Sequence, residues 1–129
     1  MKSIIPLCIL IALTHSQQVH EIMEIWEELN APFVDICINE TNANPEIPKV
    51  MFRNNHLPDE GTFHCYLKCM FRHLGFFTPN NEIDVNALAE VPHLPYELAE
   101  RCVKEAESET DLCIKSYLIT KCCIGDKHA

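Results

Sequence analysis

The sequence predicts an all-α fold, a compact bundle of about six short helices cross-linked by three disulfides. Three observations lead there. The chain has 129 residues, enough for one domain and too few for two ordinary ones. Eight cysteines at that length mark a disulfide framework or a metal cluster. Only three glycines are present, which argues against many tight β-turns, and the apolar residues recur at three- and four-residue steps. Charge narrows the function as well. Nineteen acidic residues against ten basic ones give a net charge of −9, which repels nucleic acid and anionic membrane surfaces alike and excludes both as main partners.

In chain order, residues 1–16 read as a secretory signal. Lys2 precedes a nearly apolar run from Ile4 to Leu13, and Thr14 and Ser16 are the small residues of a cleavage site expected after Ser16. The run is too short for a membrane span of about 20 residues. Cleavage removes Lys2, Cys8 and His15 and takes the net charge to −10, leaving residues 17–129 as one helical domain in an extracellular setting. There Val19, Ile22, Met23, Trp26 and Leu29 form one apolar stripe, with Glu21, Glu24, Glu27 and Glu28 on the wet side. Pro32 splits or kinks this helix before a segment from Phe33 to Ile38. Asn44 caps the next helix, with Pro45 in its first position and Ile47, Val50 and Met51 as its buried edge. A helix from Thr62 to Leu74 is expected to be capped by Thr62 and stopped by Gly75. A short one follows from Asp84 to Leu88, another from Tyr96 to Ala106, and a last one starts at Thr110 or Asp111. It is expected to end near Cys122, with Gly125 just beyond and the rest a short polar tail.

The cysteines carry most of the information. Secretion permits disulfides, so six of the seven that remain are expected to pair. Their positions are Cys37, Cys65, Cys69, Cys102, Cys113, Cys122 and Cys123. Cys65 and Cys69 lie four apart on a predicted helix and cannot bridge each other without strain, and neither can the neighbours Cys122 and Cys123. Each needs a distant partner. Spacing alone leaves fifteen connectivities open for six cysteines.

Three residues separate Cys65 from Cys69, eight separate Cys113 from Cys122, and the stretch His64-Cys65-Tyr66-Leu67-Lys68-Cys69-Met70-Phe71 surrounds the first pair. This spacing and local text resemble the pheromone and general odorant-binding family of insects. The resemblance covers essentially the whole chain after the signal. It implies interlocked bridges Cys37–Cys69, Cys65–Cys113 and Cys102–Cys122 around an internal apolar cavity. Cys123 departs from the pattern, and Cys123 in place of Cys122 as the partner of Cys102 stays open. Left free, Cys123 could link two copies into a homodimer.

A hollow interior costs stability in proportion to its size, and each disulfide can offset about 2–4 kcal/mol of that loss. The candidate ligand contacts are the apolar residues beyond minimal core needs. Met70, Phe71, Leu74, Phe76 and Phe77 lie together, and Met51, Phe52, Leu88, Val91, Leu94, Tyr117 and Leu118 come from neighbouring helices. Thioethers and rings suit a site that accepts several ligand shapes, with Tyr117 as the candidate polar contact.

Catalytic motifs are missing. No Gly-x-Ser-x-Gly elbow and no His-Asp pair occur, and His20-Glu21 lacks the second histidine of a zinc protease helix. Cys65, Cys69, His73 and His64 could approach a zinc ion geometrically, but oxidised cysteines cannot ligate it, so neither metal nor cofactor is expected. Asn39-Glu-Thr41 is the one glycosylation sequon. The resemblance also implies ligand release as pH falls, for which His64, His73 and His93 are the candidate groups. The expected function is that of a secreted carrier of small hydrophobic odorants or pheromones to an odorant receptor. The alternatives are the same carrier outside smell, in haemolymph, saliva or reproductive fluid, and a secreted effector that binds a protein partner.

Overall fold

The computed structural model describes the backbone from Ile4 and the side chains from Thr14 to Ala129. Lys2 and the side chains of the apolar run 4–13 lie outside the described residues. Helix α1 runs without interruption from Ile4 to Asn30. Met23 and Trp26 of its predicted stripe are buried, whereas Leu29 stays 38% exposed. Ala31–Phe33 form a single 3₁₀ turn, with Pro32 inside it, before α2 at Val34–Thr41. The missing amide of Pro32 therefore divides the two helices instead of merely bending one. α2 ends at Asn42, left-handed at φ 59°.

α3 covers Glu46–Asn54. The Asn44 carboxamide oxygen accepts the Glu46 amide at 3.0 Å, so Asn44 caps the turn even though the regular helix begins one residue later than its sequence suggests. α4 covers Gly61–His73 and takes no side-chain cap from Thr62, because the helix already starts at Gly61. Its far end matches expectation. Gly75, at φ 80°, turns the chain out of the helix. Beyond it Phe77 pairs with Ile83 in one antiparallel bridge, the only β contact among the described residues.

α5 is a single turn, Val85–Leu88, with the Asp84 carboxylate accepting the Ala87 amide at 3.1 Å. α6 covers Tyr96–Glu105, and α7 covers Leu112–His128. Of the two residues that could cap α7 it is Asp111, whose carboxylate accepts the amides of Cys113 and Ile114. The expected stop at Gly125 fails. Gly125 sits inside the helix, and the supposed tail is its last turns. Tertiary contacts outweigh the weak helix preference of one glycine. Cys123 and Ile124 are buried, Arg101 holds Asp126 at 2.8 Å, and His128 Nε2 lies 2.8 Å from the Phe52 carbonyl.

α4 packs chiefly against α7 and α2, α6 lies on α7, and α1 lies on α3. Disulfides staple the same contacts. Cys37–Cys69 joins α2 to α4, Cys65–Cys113 joins α4 to α7, and Cys102–Cys122 joins α6 to α7. These are the pairs that the resemblance implies. Cys122 and Cys123 project about 100° apart around α7, so only one of them can face α6. Cys122 does, and Cys123 turns inward, 6% exposed.

Candidate functional site

Inside this frame lies a cavity of about 220 Å³. Its walls follow from the apolar faces of five helices. Trp26 and Leu29 come from the end of α1, Met51 and Phe52 from α3, and Leu67, Met70 and Phe71 from α4. Leu74 and Phe76 follow in the turn after α4. Ala87 and Leu88 of α5, with Val91, Pro92 and Leu94 after it, close another side. The last wall is α7, through Ile119, Thr120, Cys123 and Ile124. Leu29, Glu90 and Pro92 line the space and are also exposed, so the cavity reaches the surface between the end of α1 and the segment after α5. A hydrogen bond spans this mouth. The Trp26 indole donates to the Pro92 carbonyl at 2.7 Å and ties α1 to a loop in which His93 is left-handed at φ 65°.

Nine of the twelve expected contacts line the cavity: Met51, Phe52, Met70, Phe71, Leu74, Phe76, Leu88, Val91 and Leu94. Phe77, Tyr117 and Leu118 are placed elsewhere. Phe77 leans away into the bridge with Ile83, its ring 5.9 Å beneath the Arg72 guanidinium. Leu118 points to solvent at 38% exposure. Tyr117 is buried, but its hydroxyl donates to the Leu57 carbonyl at 3.1 Å and its ring packs on His64 and Phe63, so it braces α7 against the loop before α4. On α7 the cavity face is instead Ile119, Thr120, Cys123 and Ile124, which share a side at three- and four-residue steps. That face was hidden in the sequence by the expected helix end. Trp26 was visible there as a stripe residue, without any sign that it faces a space.

Cys123 is the one cysteine outside a disulfide among the described residues. Burial, with Asp126 adding to it, pushes its thiol from an ordinary 9.0 up to about 12, so it is a neutral SH in the cavity wall. So placed, it is unavailable for the intermolecular bridge that its sequence position suggests. The zinc arrangement is likewise closed to Cys65 and Cys69, whose sulfurs are bonded to Cys113 and Cys37. Of the three candidate acid-sensitive groups, none lines the cavity. His64 is buried, with Nε2 2.7 Å from Asp59 Oδ1 but off the line that a hydrogen bond needs. His73 stacks on Phe33 with ring centroids 5.0 Å apart, and His93 is exposed. Asn39 of the sequon is exposed on α2.

Fold and site together define a small, triply disulfide-bonded helical domain built around an apolar chamber. The chain belongs to the PBP/GOBP family, whose profile matches residues 19–125. It is 27% identical over 97 residues to general odorant-binding protein 99b of Drosophila melanogaster, covering 67% of this chain and 64% of that protein. It is 30% identical over 96 residues to general odorant-binding protein 69a of the same organism, covering 69% of this chain and 62% of the relative. The chain therefore spans somewhat less than two thirds of the length of these relatives. No solved structure matches significantly.

Proposed function

We propose that the protein is a secreted carrier that takes up a small hydrophobic ligand, an odorant or pheromone, into its central cavity and delivers it to an olfactory receptor. The cavity carries this reading. An apolar cavity of about 150 Å³ is large enough for benzene. A space of about 220 Å³ is half as large again, which suits a ligand of about nine heavy atoms. Burial holds such a ligand at roughly 25 cal/mol per Å². The mechanism is sequestration and release with no bond made or broken. Residues 1–16 act as the leader, and the acidic surface keeps a carrier of greasy molecules soluble. The two relatives, named as general odorant-binding proteins, and the family match support the same reading.

Uptake of an environment-sensitive apolar dye, and its displacement by volatile organic compounds of about nine heavy atoms, tests the carrier. A protein that takes up no dye is not one. Mass spectrometry of the secreted chain tests the leader, with Gln17 expected at the N-terminus.

A further inference from the structure

The polar groups around the cavity are few, and their protons are mostly committed. The Trp26 indole donates to Pro92. The Asn30 amide donates to the Trp26 carbonyl at 2.7 Å, and its remaining proton sits at the half-buried mouth, where water competes for it. On α7, at another half-buried position of the wall, the Thr120 hydroxyl donates its single proton to the Ser116 carbonyl at 2.8 Å. A hydroxyl has one donor and two acceptor lone pairs, so Thr120 Oγ1 offers the cavity acceptor capacity only. Cys123, one turn further along the same face, adds a thiol, which is a weak donor. Glu90 at the rim is an acceptor when ionised, and none of the lining residues is Lys, Arg or His.

A ligand that places an oxygen beside Thr120 Oγ1 therefore gains a hydrogen bond there only if it brings its own proton. We propose that the cavity selects neutral hydroxyl-bearing ligands over carbonyl compounds and carboxylic acids of the same length, with Thr120 Oγ1 accepting the ligand hydroxyl. This rests on the carrier reading and names the ligand class for the same chamber. An alcohol or phenol donates to the free lone pair and so keeps one of the hydrogen bonds it makes in water. An aldehyde or ester leaves its carbonyl oxygen without a strong donor. A carboxylate fares worse, with no cation to meet it and the Glu90 carboxylate at the entrance.

Competition against the bound dye by 1-octanol, octanal and octanoate at neutral pH tests the selection. The expected result is octanol tighter than octanal by about three- to tenfold, with octanoate the weakest. Thr120→Val keeps the shape and removes the acceptor, so the octanol-to-octanal ratio falls to about one while octanal itself binds as before. Thr120→Ser restores the ratio. Equal binding of octanol and octanal to the unmodified protein, octanoate binding as tightly as octanol, or a ratio that survives in Thr120→Val would overturn the proposal. Dye uptake without selection condemns the ligand class alone, whereas absence of any uptake condemns the carrier reading and the ligand class together. Should Thr120→Val fail to fold, the three ligands on the unmodified protein still decide.

Discussion

Ile119→Ala tests whether the chamber is where a ligand's alkyl chain lies. Ile119 is fully buried in α7 and lines the cavity. Truncation removes three carbon groups, each contributing about 0.8 kcal/mol through burial, or about 2.4 kcal/mol in all. The void adds to this, because it merges with space that is already open and cannot collapse, so the expected loss is about 3 kcal/mol, within the usual range of 2–5 kcal/mol. Three disulfides keep the variant folded. For the ligand the sign is opposite. Room for two or three more carbons, each worth about 0.8 kcal/mol or roughly a fourfold gain in affinity, moves the best n-alcohol two or three carbons longer. Urea unfolding gives the first quantity and dye displacement by alcohols of about six to twelve carbons gives the second. A loss of stability with the optimum chain length unchanged would refute the placement of the ligand.

Four further outcomes are expected. Replacing Cys65 and Cys113 by alanine opens a loop of sequence separation 48 and costs about 4 kcal/mol, against about 3 kcal/mol for Cys102 and Cys122 at separation 20; guanidinium midpoints in the reverse order would contradict this. Trp26→Phe leaves the Pro92 carbonyl without its donor, costs about 1–3 kcal/mol and loosens the mouth, so stopped-flow dye release should quicken; an unchanged rate would mean that this bond does not hold the entrance. Cys123 should stay inert to Ellman's reagent at pH 8 until denaturant opens the protein. Because its folded value, about 12, lies above the 9.0 of an ordinary thiol, its contribution to stability is complete below pH 9 and is lost as pH rises towards 12; burial of the Tyr66 hydroxyl raises its value too and acts in the same sense. Asp111→Ala removes the cap of α7 and should lower stability by about 1 kcal/mol; no change in a thermal melt would show the cap to be redundant.

The sequence by itself determined the helical class, most helix boundaries and the family. These depend on properties that are local in the chain: the three- and four-residue recurrence of Val19 through Trp26, proline at 32, glycine at 75, the carboxylates of Asp84 and Asp111, and the cysteine spacing. It also indicated nine of the cavity's residues, because surplus methionine and aromatic side chains gather near α4. Only the tertiary structure decided the rest. Gly125 reads locally as a stop, yet the helix continues because Arg101, Phe52 and the cavity wall hold its last turns from distant parts of the chain. Tyr117 reads as a polar ligand contact, yet its hydroxyl reaches the Leu57 carbonyl, and Ile119, Thr120, Cys123 and Ile124 line the chamber from α7 instead. A cavity is a relation among faces of helices far apart in sequence, and no local pattern records which side of a helix will meet a space.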